Sequence, residues 1–349
     1  MPEITVIYPS DTKGKEAVLA LLRRCGLRWD AHLDYTCAIY DAEQKVIATG
    51  SCYANTLRCL AVDPFHRGEA LLNAIVAHLM DIQAQRGYTS VFLYTKPEAA
   101  RLLSTLGFHE IVRAEAGVVF MENRPWGFAD YLENLQRESP PAPNKPIAAI
   151  VMNANPFTRG HLHLIEMAAR ENVWVHLFIV SEEASLFPFA VRERLVREGT
   201  AHLPNLIYHA SGDYIISRAT FPAYFQKDED SIARGYAQID LAIFTRLAKA
   251  LGITRRYVGE ETFSHVTNLY NEEMQKLLPK FDITCKILPR MEYQQQPISA
   301  STVRTLLQQG NISALAPLVP PTTLAYLQSD ASHSLRQRVQ EAVQVAHDW

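Results

Sequence analysis

A chain of 349 residues with 48% hydrophobic content is too long for one ordinary core and predicts two domains, while a formal net charge of −3 with no long basic run excludes an electrostatic nucleic-acid footprint. The cysteines Cys25, Cys37, Cys52, Cys59 and Cys285 are odd in number and lack C-x-x-C spacing, which argues against a disulfide framework or a structural zinc site and leaves no metal-ligand set. The N-terminus Met1-Pro-Glu-Ile-Thr-Val-Ile-Tyr8 lacks a basic, then long apolar, leader pattern, and no stretch approaches the ~20 apolar residues of a membrane span, so a cytoplasmic protein without membrane contact is expected.

In chain order, periodicity predicts a strand at Ile4–Tyr8, a helix at Asp11–Cys25, and short strands at Tyr35–Tyr40, Val46–Cys52 and Thr56–Val62. A helix from Glu69 to about Gln85, a strand at Val91–Thr95, a helix at Glu98–Leu106, strands at Phe108–Val112 and Gly117–Glu122 and a charged helix at Ala129–Glu138 follow. Ser139-Pro-Pro-Ala-Pro-Asn-Lys-Pro146 can neither continue a helix nor join a sheet ladder, and reads as a linker. Beyond it, strands at Ile147–Met152, Val173–Val180, Leu206–His209, Arg256–Gly259 and Ile283–Leu288 alternate with helical runs, and Ser334–Trp349 reads as a terminal helix. The expected organisation is α/β throughout: a mixed α/β domain over 1–137, a linker over 138–146, and a parallel-sheet domain with C-terminal helices over 147–349.

The most informative stretch is Asn155-Pro-Phe-Thr158-Arg-Gly160-His161-Leu-His163, between the Ile147–Met152 strand and the helical run Leu164-Ile-Glu-Met. A strand that turns sharply into a helix presents unsatisfied N–H groups and the positive end of the helix dipole, a site for phosphate. Thr158 adds a hydroxyl, Gly160 permits close backbone approach, and His161 adds a titratable donor. His163 lies two residues on, facing elsewhere on the helix, and fits the helix surface better than a metal pair with His161. A second element, Pro297-Ile-Ser299-Ala-Ser301-Thr-Val-Arg304, starts another helix with Ser299 or Ser301 as N-cap and an arginine fork one turn later. Two anion sites on one sheet suit a polyphosphate.

T-x-G-H followed by I-S-x-S-x-x-R in an alternating α/β domain resembles the nucleotidyltransferase superfamily. That resemblance implies a Rossmann-like fold, ATP with Mg2+ bound alongside the nucleotide, and His161 stabilising charge as the α-phosphate is attacked. Thr158 replaces the first histidine of the commoner H-x-G-H form. Asn155, Gly160, His163, Gly259, Ser299, Ser301 and Arg304 are the expected nucleotide-binding set, with His161 and Thr158 as the catalytic pair. Glu260 and Glu261, following a strand end, face either ribose and magnesium-bound water or plain solvent.

Together with Ser185-Leu-Phe-Pro-Phe189, Gly212-Asp-Tyr-Ile-Ile-Ser217, Ala219-Thr-Phe-Pro-Ala-Tyr-Phe225 and Val258-Gly-Glu-Glu261, these elements resemble the citrate lyase ligase family over nearly the whole chain. The resemblance implies that ATP and acetate give acetyl adenylate, whose acetyl group passes to the prosthetic thiol of the acyl carrier subunit of citrate lyase. Phe221, Tyr224 and Phe225 read as core before acetate pocket, Lys227 as solvated, and Arg192, Arg194 and Arg197 as one solvated helix face. In the first domain, Leu60-Ala-Val-Asp-Pro-Phe-His-Arg67-Gly68-Glu-Ala70-Leu-Leu72 and Leu102-Leu-Ser-Thr-Leu-Gly-Phe108 resemble the GNAT acetyltransferase fold. Ala70 and Leu72 stand where that family's phosphate turn has its later glycines, which favours a domain that holds the carrier's phosphopantetheine-type arm, or serves as structure, over an active acetyltransferase.

Overall fold

The computed structural model describes residues 2–66, 69–115, 117–141, 146–181, 185–215, 221–222, 224, 228–260 and 265–341, without the side chains of 69, 229, 265–267 and 341. The chain divides into two compact units, Met1–Tyr131 with Thr220–Ile243, and Leu132–Ala219 with Phe244–Trp349. Two of its three boundaries fall within helices α4 (Gly127–Glu138) and α7 (Glu229–Leu251).

The first unit is built on β1 (Thr5–Val6), α1 (Thr12–Arg24), β2 (Tyr35–Tyr40), β3 (Val46–Tyr53), β4 (Thr56–Val62), α2 (Glu69–Gln85), β5 (Phe92–Thr95), α3 (Pro97–Thr105), β6 (His109–Ala114) and β7 (Val118–Glu122). Asp11 starts α1 as N-cap, its carboxylate accepting from Gly14 N–H at 2.9 Å. The sheet order is β1-β2-β3-β4-β5-β7-β6. All neighbours are antiparallel except β4 and β5, which run parallel and pair only at Thr56 with Phe92 and Leu57 with Leu93. Beyond that pairing Leu60, Val62, Tyr94 and Tyr224 line a cavity of about 300 Å³. Cys37, Ile75, Leu79, Leu93, Phe108 and Met121 centre the core that packs α2 and α3 on this sheet. This is the mixed α/β arrangement expected from the sequence.

The second unit holds β8 (Ile147–Met152), α5 (Arg159–Glu171), β9 (Trp174–Ile179), α6 (Phe189–Gly199), β10 (Leu206–Ala210), β11 (Arg255–Gly259), α8 (His265–Leu277), β12 (Thr284–Leu288), the ribbon β13 (Glu292–Tyr293) and β14 (Gln296–Pro297), α9 (Ala300–Gln308), α10 (Pro321–Gln328) and α11 (His333–Glu341). Its five-stranded sheet is wholly parallel, in the order β10-β9-β8-β11-β12. The first three strands build outward from β8 in one direction, and β11 and β12 build on its other side. The order therefore reverses at β8, and in open α/β sheets ligands bind beyond the carboxyl ends of the strands at such a point. Ala148, Ile150, Val175, Leu177 and Tyr257 form the buried core of this sheet, and Val303, Leu307, Leu327 and Leu335 pack the C-terminal helices together. This is the expected Rossmann-like parallel-sheet fold.

Helix and strand limits fall within one or two residues of the expected ones at nearly every element. The reading of Arg192, Arg194 and Arg197 as one solvated face is corrected at Arg192, whose side chain is wholly buried. Its guanidinium donates to the carbonyls of Phe187 (2.9 Å), Asn153 (2.9 Å) and Val180 (2.7 Å), so it ties the ends of β8 and β9 to the start of α6. Arg194 and Arg197 do face solvent, paired with Glu198 and Glu193. No helix among the described residues is long and apolar enough to cross a membrane.

Candidate functional site

The turn that leaves β8 carries Ala154 at φ 50 and a cis Asn155-Pro156 bond, then enters α5 at Thr158. Thr158 is buried and extended, at φ −116 and ψ 167, as an N-cap must be. Its hydroxyl oxygen accepts from His161 N–H at 3.3 Å, and its own N–H donates to His161 Nδ1 at 3.1 Å. This is a reciprocal capping box in which histidine takes the place usually held by Glu or Gln. The same Nδ1 lies 2.9 Å from Thr158 Oγ1, and the ring stacks on Phe157 with centroids 6.0 Å apart.

That geometry determines what His161 can do. A ring nitrogen that accepts a backbone N–H carries no proton, so the neutral imidazole bears its hydrogen on Nε2 and is a donor there. Burial, and then the positive charge of Arg290, lower its pKa from 6.5 to about 4, so it stays neutral through the physiological range. His161 thus offers an oriented neutral donor, alongside the Gly160 N–H and the positive dipole of the first turn of α5.

Gly160 brings the two sequence elements together. A Cβ built on it would sit 3.2 Å from the carbonyl oxygen of Ile298, so the first turn of α5 lies against the residue preceding α9. Ser299 is the N-cap of α9, its hydroxyl accepting from Thr302 N–H at 3.0 Å and lying 2.8 Å from Thr302 Oγ1. Ser301 is exposed on the first turn. Arg304 donates through Nη1 to the Asn155 carbonyl at 2.7 Å, linking α9 back to the turn after β8, and burial lowers its pKa from the ordinary arginine value. Asn155 also accepts, through Oδ1, from Phe187 N–H at 3.1 Å. Arg159 anchors the far side of the turn, its N–H donating to Leu318 O at 2.9 Å and its Nε to Val319 O at 3.2 Å.

His163 is half-buried one face away on α5. Gly259 closes β11 with open space before it, a Cβ there meeting nothing within 4 Å. The structure therefore groups Thr158, Gly160, His161, Ser299, Arg304 and Asn155 around two adjoining helix starts, with Gly259 at the end of the neighbouring strand β11. Phe221 and Tyr224 are buried in the first unit, where Phe221 meets Tyr94 edge-on at 5.3 Å and Tyr224 donates to the Tyr94 carbonyl at 3.0 Å. Arg67, Gly68, Ser217, Phe225, Lys227 and Glu261 lie outside the described residues.

One group escaped the sequence reading. Arg290 follows β12 and donates through Nε to the Glu260 carbonyl at 2.6 Å, across the carboxyl end of β11. An arginine just past a strand end of a parallel sheet was the available signal. Around this site the donors are amides, hydroxyls, an imidazole and guanidinia, which suit phosphate oxygens. Among the described residues no group of three or more His, Cys, Asp or Glu side chains is placed to hold a metal ion. The protein atoms thus fit a metal that arrives on a nucleotide rather than one caged by the chain.

The family profile described as citrate lyase ligase C-terminal domain matches residues 147–327, which include both helix starts. The chain is 42% identical over 314 residues to the [citrate [pro-3S]-lyase] ligase of Escherichia coli (strain K12), covering 87% of this chain and 89% of that protein. It is 39% identical over 324 residues to the ligase of the same name from Klebsiella pneumoniae, covering 91% and 93%. A shorter likeness, 31% over 143 residues, joins 36% of this chain to 86% of a phosphopantetheine adenylyltransferase of Shouchella clausii (strain KSM-K16). With identity of this order running through both units and a profile that spans both phosphate elements, the chain is an enzyme that belongs to the citrate lyase ligase family.

Proposed function

We propose that the second unit uses ATP to activate acetate as acetyl adenylate, and that the acetyl group then passes to the prosthetic thiol of the acyl carrier subunit of citrate lyase. The observation that carries this reading is the close approach of Gly160 to the Ile298 carbonyl, which sets two capped helix starts side by side. One helix start binds one phosphate; two adjoining starts suit a chain of phosphates.

In the first step an acetate oxygen attacks the α-phosphorus. The bond from that phosphorus to the bridging oxygen breaks, and its electron pair leaves with pyrophosphate. The enzyme's part is positioning and charge stabilisation. The Gly160 N–H and His161 Nε2–H donate to the phosphoryl oxygens, and Asn155, Gly160, Ser299, Ser301, Arg304 and Gly259 shape and hold the polyphosphate. Thr158 orients His161 from beneath. Mg2+ bound with the nucleotide would supply further neutralisation of phosphate charge.

In the second step the carrier's thiolate attacks the acetyl carbonyl, the thioester forms, and AMP leaves. The enzyme's own cysteines are poor alternatives. Burial pushes Cys37, Cys52 and Cys59 each up to about 12, and burial also raises Cys285. The cavity of the first unit, apolar along Leu60, Val62 and Leu103 with Arg24 and Lys96 among its lining, suits the pantetheine-type arm with its phosphate end. The assignment thus gives the arm to the first unit, to which Tyr224 contributes, and the ATP chemistry to the second.

Acetate-dependent exchange of labelled pyrophosphate into ATP tests the reading. The expected result is exchange in the wild type, lost by about 100-fold or more in His161→Ala with ATP affinity changed only modestly. Exchange that ignores acetate would instead mark an adenylyltransferase acting on a phosphate ester. Calorimetric titration of the full chain with pantetheine and with acetyl-CoA tests the cavity, and turnover of acetyl-CoA onto an amine would overturn its assignment.

A further inference from the structure

We infer that Arg290 is a further catalytic residue of this site, a cation that binds the phosphates of the nucleotide beside His161 and stabilises the departing pyrophosphate. The inference deepens the ATP-dependent reading above and rests on it. Arg290 stands two residues past β12, yet its Nε reaches the carbonyl of Glu260, one residue past β11. In the strand order β11 lies between β12 and β8, so the side chain extends towards the strand that carries the His161 turn. The backbone closes the remaining distance. Met291, the next residue, accepts at its carbonyl from Ile298 N–H at 2.8 Å, and the Ile298 carbonyl abuts Gly160 on the first turn of α5. The path from Arg290 through Met291 and Ile298 to Gly160 runs entirely through one peptide bond, one hydrogen bond and one van der Waals contact.

The chemistry of the site calls for such a group. His161, locked as a neutral donor by its Nδ1 partner, supplies a hydrogen bond but no net charge. Arg304 is partly buried and pins the Asn155 carbonyl. As the acetate oxygen bonds to the α-phosphorus and the bridging bond breaks, negative charge accumulates on the β-phosphoryl group, and a guanidinium held by its Nε is suited to meet it without reorganising. No proton passes through Arg290 in this step. The depressed pKa of His161, to which the charge of Arg290 contributes, is consistent with the placement.

Arg290 is half-buried on a loop, so substitution should leave the fold intact, which a melting curve checks. In the full chain, Arg290→Gln is expected to lower acetate-dependent pyrophosphate exchange on the order of 100-fold at saturating ATP, while ATP affinity weakens about tenfold or less. Arg290→Lys should recover roughly tenfold of the lost rate, as a point charge without the planar fork. NMR titration of the His161 ring should show its midpoint rising from about 4 in Arg290→Gln and holding near the wild-type value in Arg290→Lys, which separates loss of the charge from loss of packing. Exchange within about threefold of wild type, or an unmoved His161 midpoint, would overturn the inference. If Arg290→Gln does not fold, an Arg290→Met protein, which keeps the length and drops the charge, overturns it equally by showing wild-type exchange. Absence of acetate-dependent exchange in the wild type would sink the acetate reading alone; ATP affinity and the His161 titration would then still decide on Arg290.

Discussion

At the scale of single residues, the exchange of a histidine for Thr158 in the T-x-G-H element has a physical consequence. Its side chain is buried and caps α5, and its backbone N–H occupies His161 Nδ1. Removing the hydroxyl in Thr158→Val should cost about 1 kcal/mol of stability, the usual worth of an N-cap, with Thr158→Ser restoring most of it; urea unfolding of both variants measures this. The pH dependence follows from the same bonds. His161 has a folded-state pKa near 4, below its unfolded 6.5, so it does not titrate between pH 5 and 8 in the folded enzyme. The pyrophosphate-exchange rate should therefore show no inflection near pH 6.5 from this residue. Nitrogen-15 shifts should report protonated Nε2 and bare Nδ1 across that range. A midpoint above 6 would mean that the ring faces solvent or an anion rather than its cap.

At the scale of elements, the decisive contact is between α5 and the start of α9. Gly160→Ala places a methyl group 3.2 Å from the Ile298 carbonyl, tighter than ordinary contact. The gain in helix propensity, about 1 kcal/mol, offsets the squeeze, so melting temperature should move little while pyrophosphate exchange falls as the two helix starts are pushed apart. Gly259→Ala is the control: its methyl group meets open space, so stability should hold and only ATP affinity should fall. Both glycines, and the strand-turn-helix around Thr158, were legible from the sequence because turn chemistry and capping are local. What was not legible depends on strand order. Arg290 comes near His161 only because β11 lies between β12 and β8, and the ribbon β13–β14 after it turns through Gln294 and Gln295 at φ 51 and 62, without the Asn-Gly or Gly signal that marks such hairpins. Arg192 was misread because a charged helix predicts a solvated face, whereas three carbonyls converging from separate segments draw this one arginine inside. Residues 220–243, grouped with the first unit, carry no local mark of that membership.

At the scale of the whole molecule, the balance between two cores of ordinary composition makes buried titratable groups the sensitive point, and the second unit carries a pair of them. His176 on β9 and His209 on β10 are 2% and 3% exposed, stack at 5.2 Å, and share one hydrogen bond of 2.9 Å from Nδ1 to Nε2. Phe178 covers His209 on one side, and its Nδ1 has no hydrogen-bond partner among the described residues, the Glu138 carboxylate standing 3.9 Å away. Burial holds His176 at about 3, helped by His209 beside it, and burial with the charge of Arg197 holds His209 at about 4. Both values lie below the unfolded 6.5, so between pH 6.5 and 4 the unfolded chain binds more protons than the folded one. Stability from the pair is then fully present above pH 7 and is lost as pH falls through that window. Each unit of separation is worth about 1.4 kcal/mol, so a loss on the order of 2 kcal/mol per histidine is expected between pH 7 and 5, reduced to the extent that Glu138 stabilises a charged His209. Because a chain of two compact units need not unfold in one step, the measurement is local: hydrogen exchange of the β9 and β10 amides, compared between wild type and a His176→Gln, His209→Gln double variant. The wild type should lose protection more steeply with falling pH than the variant; equal slopes would show that the pair titrates without cost and that acid sensitivity lies elsewhere.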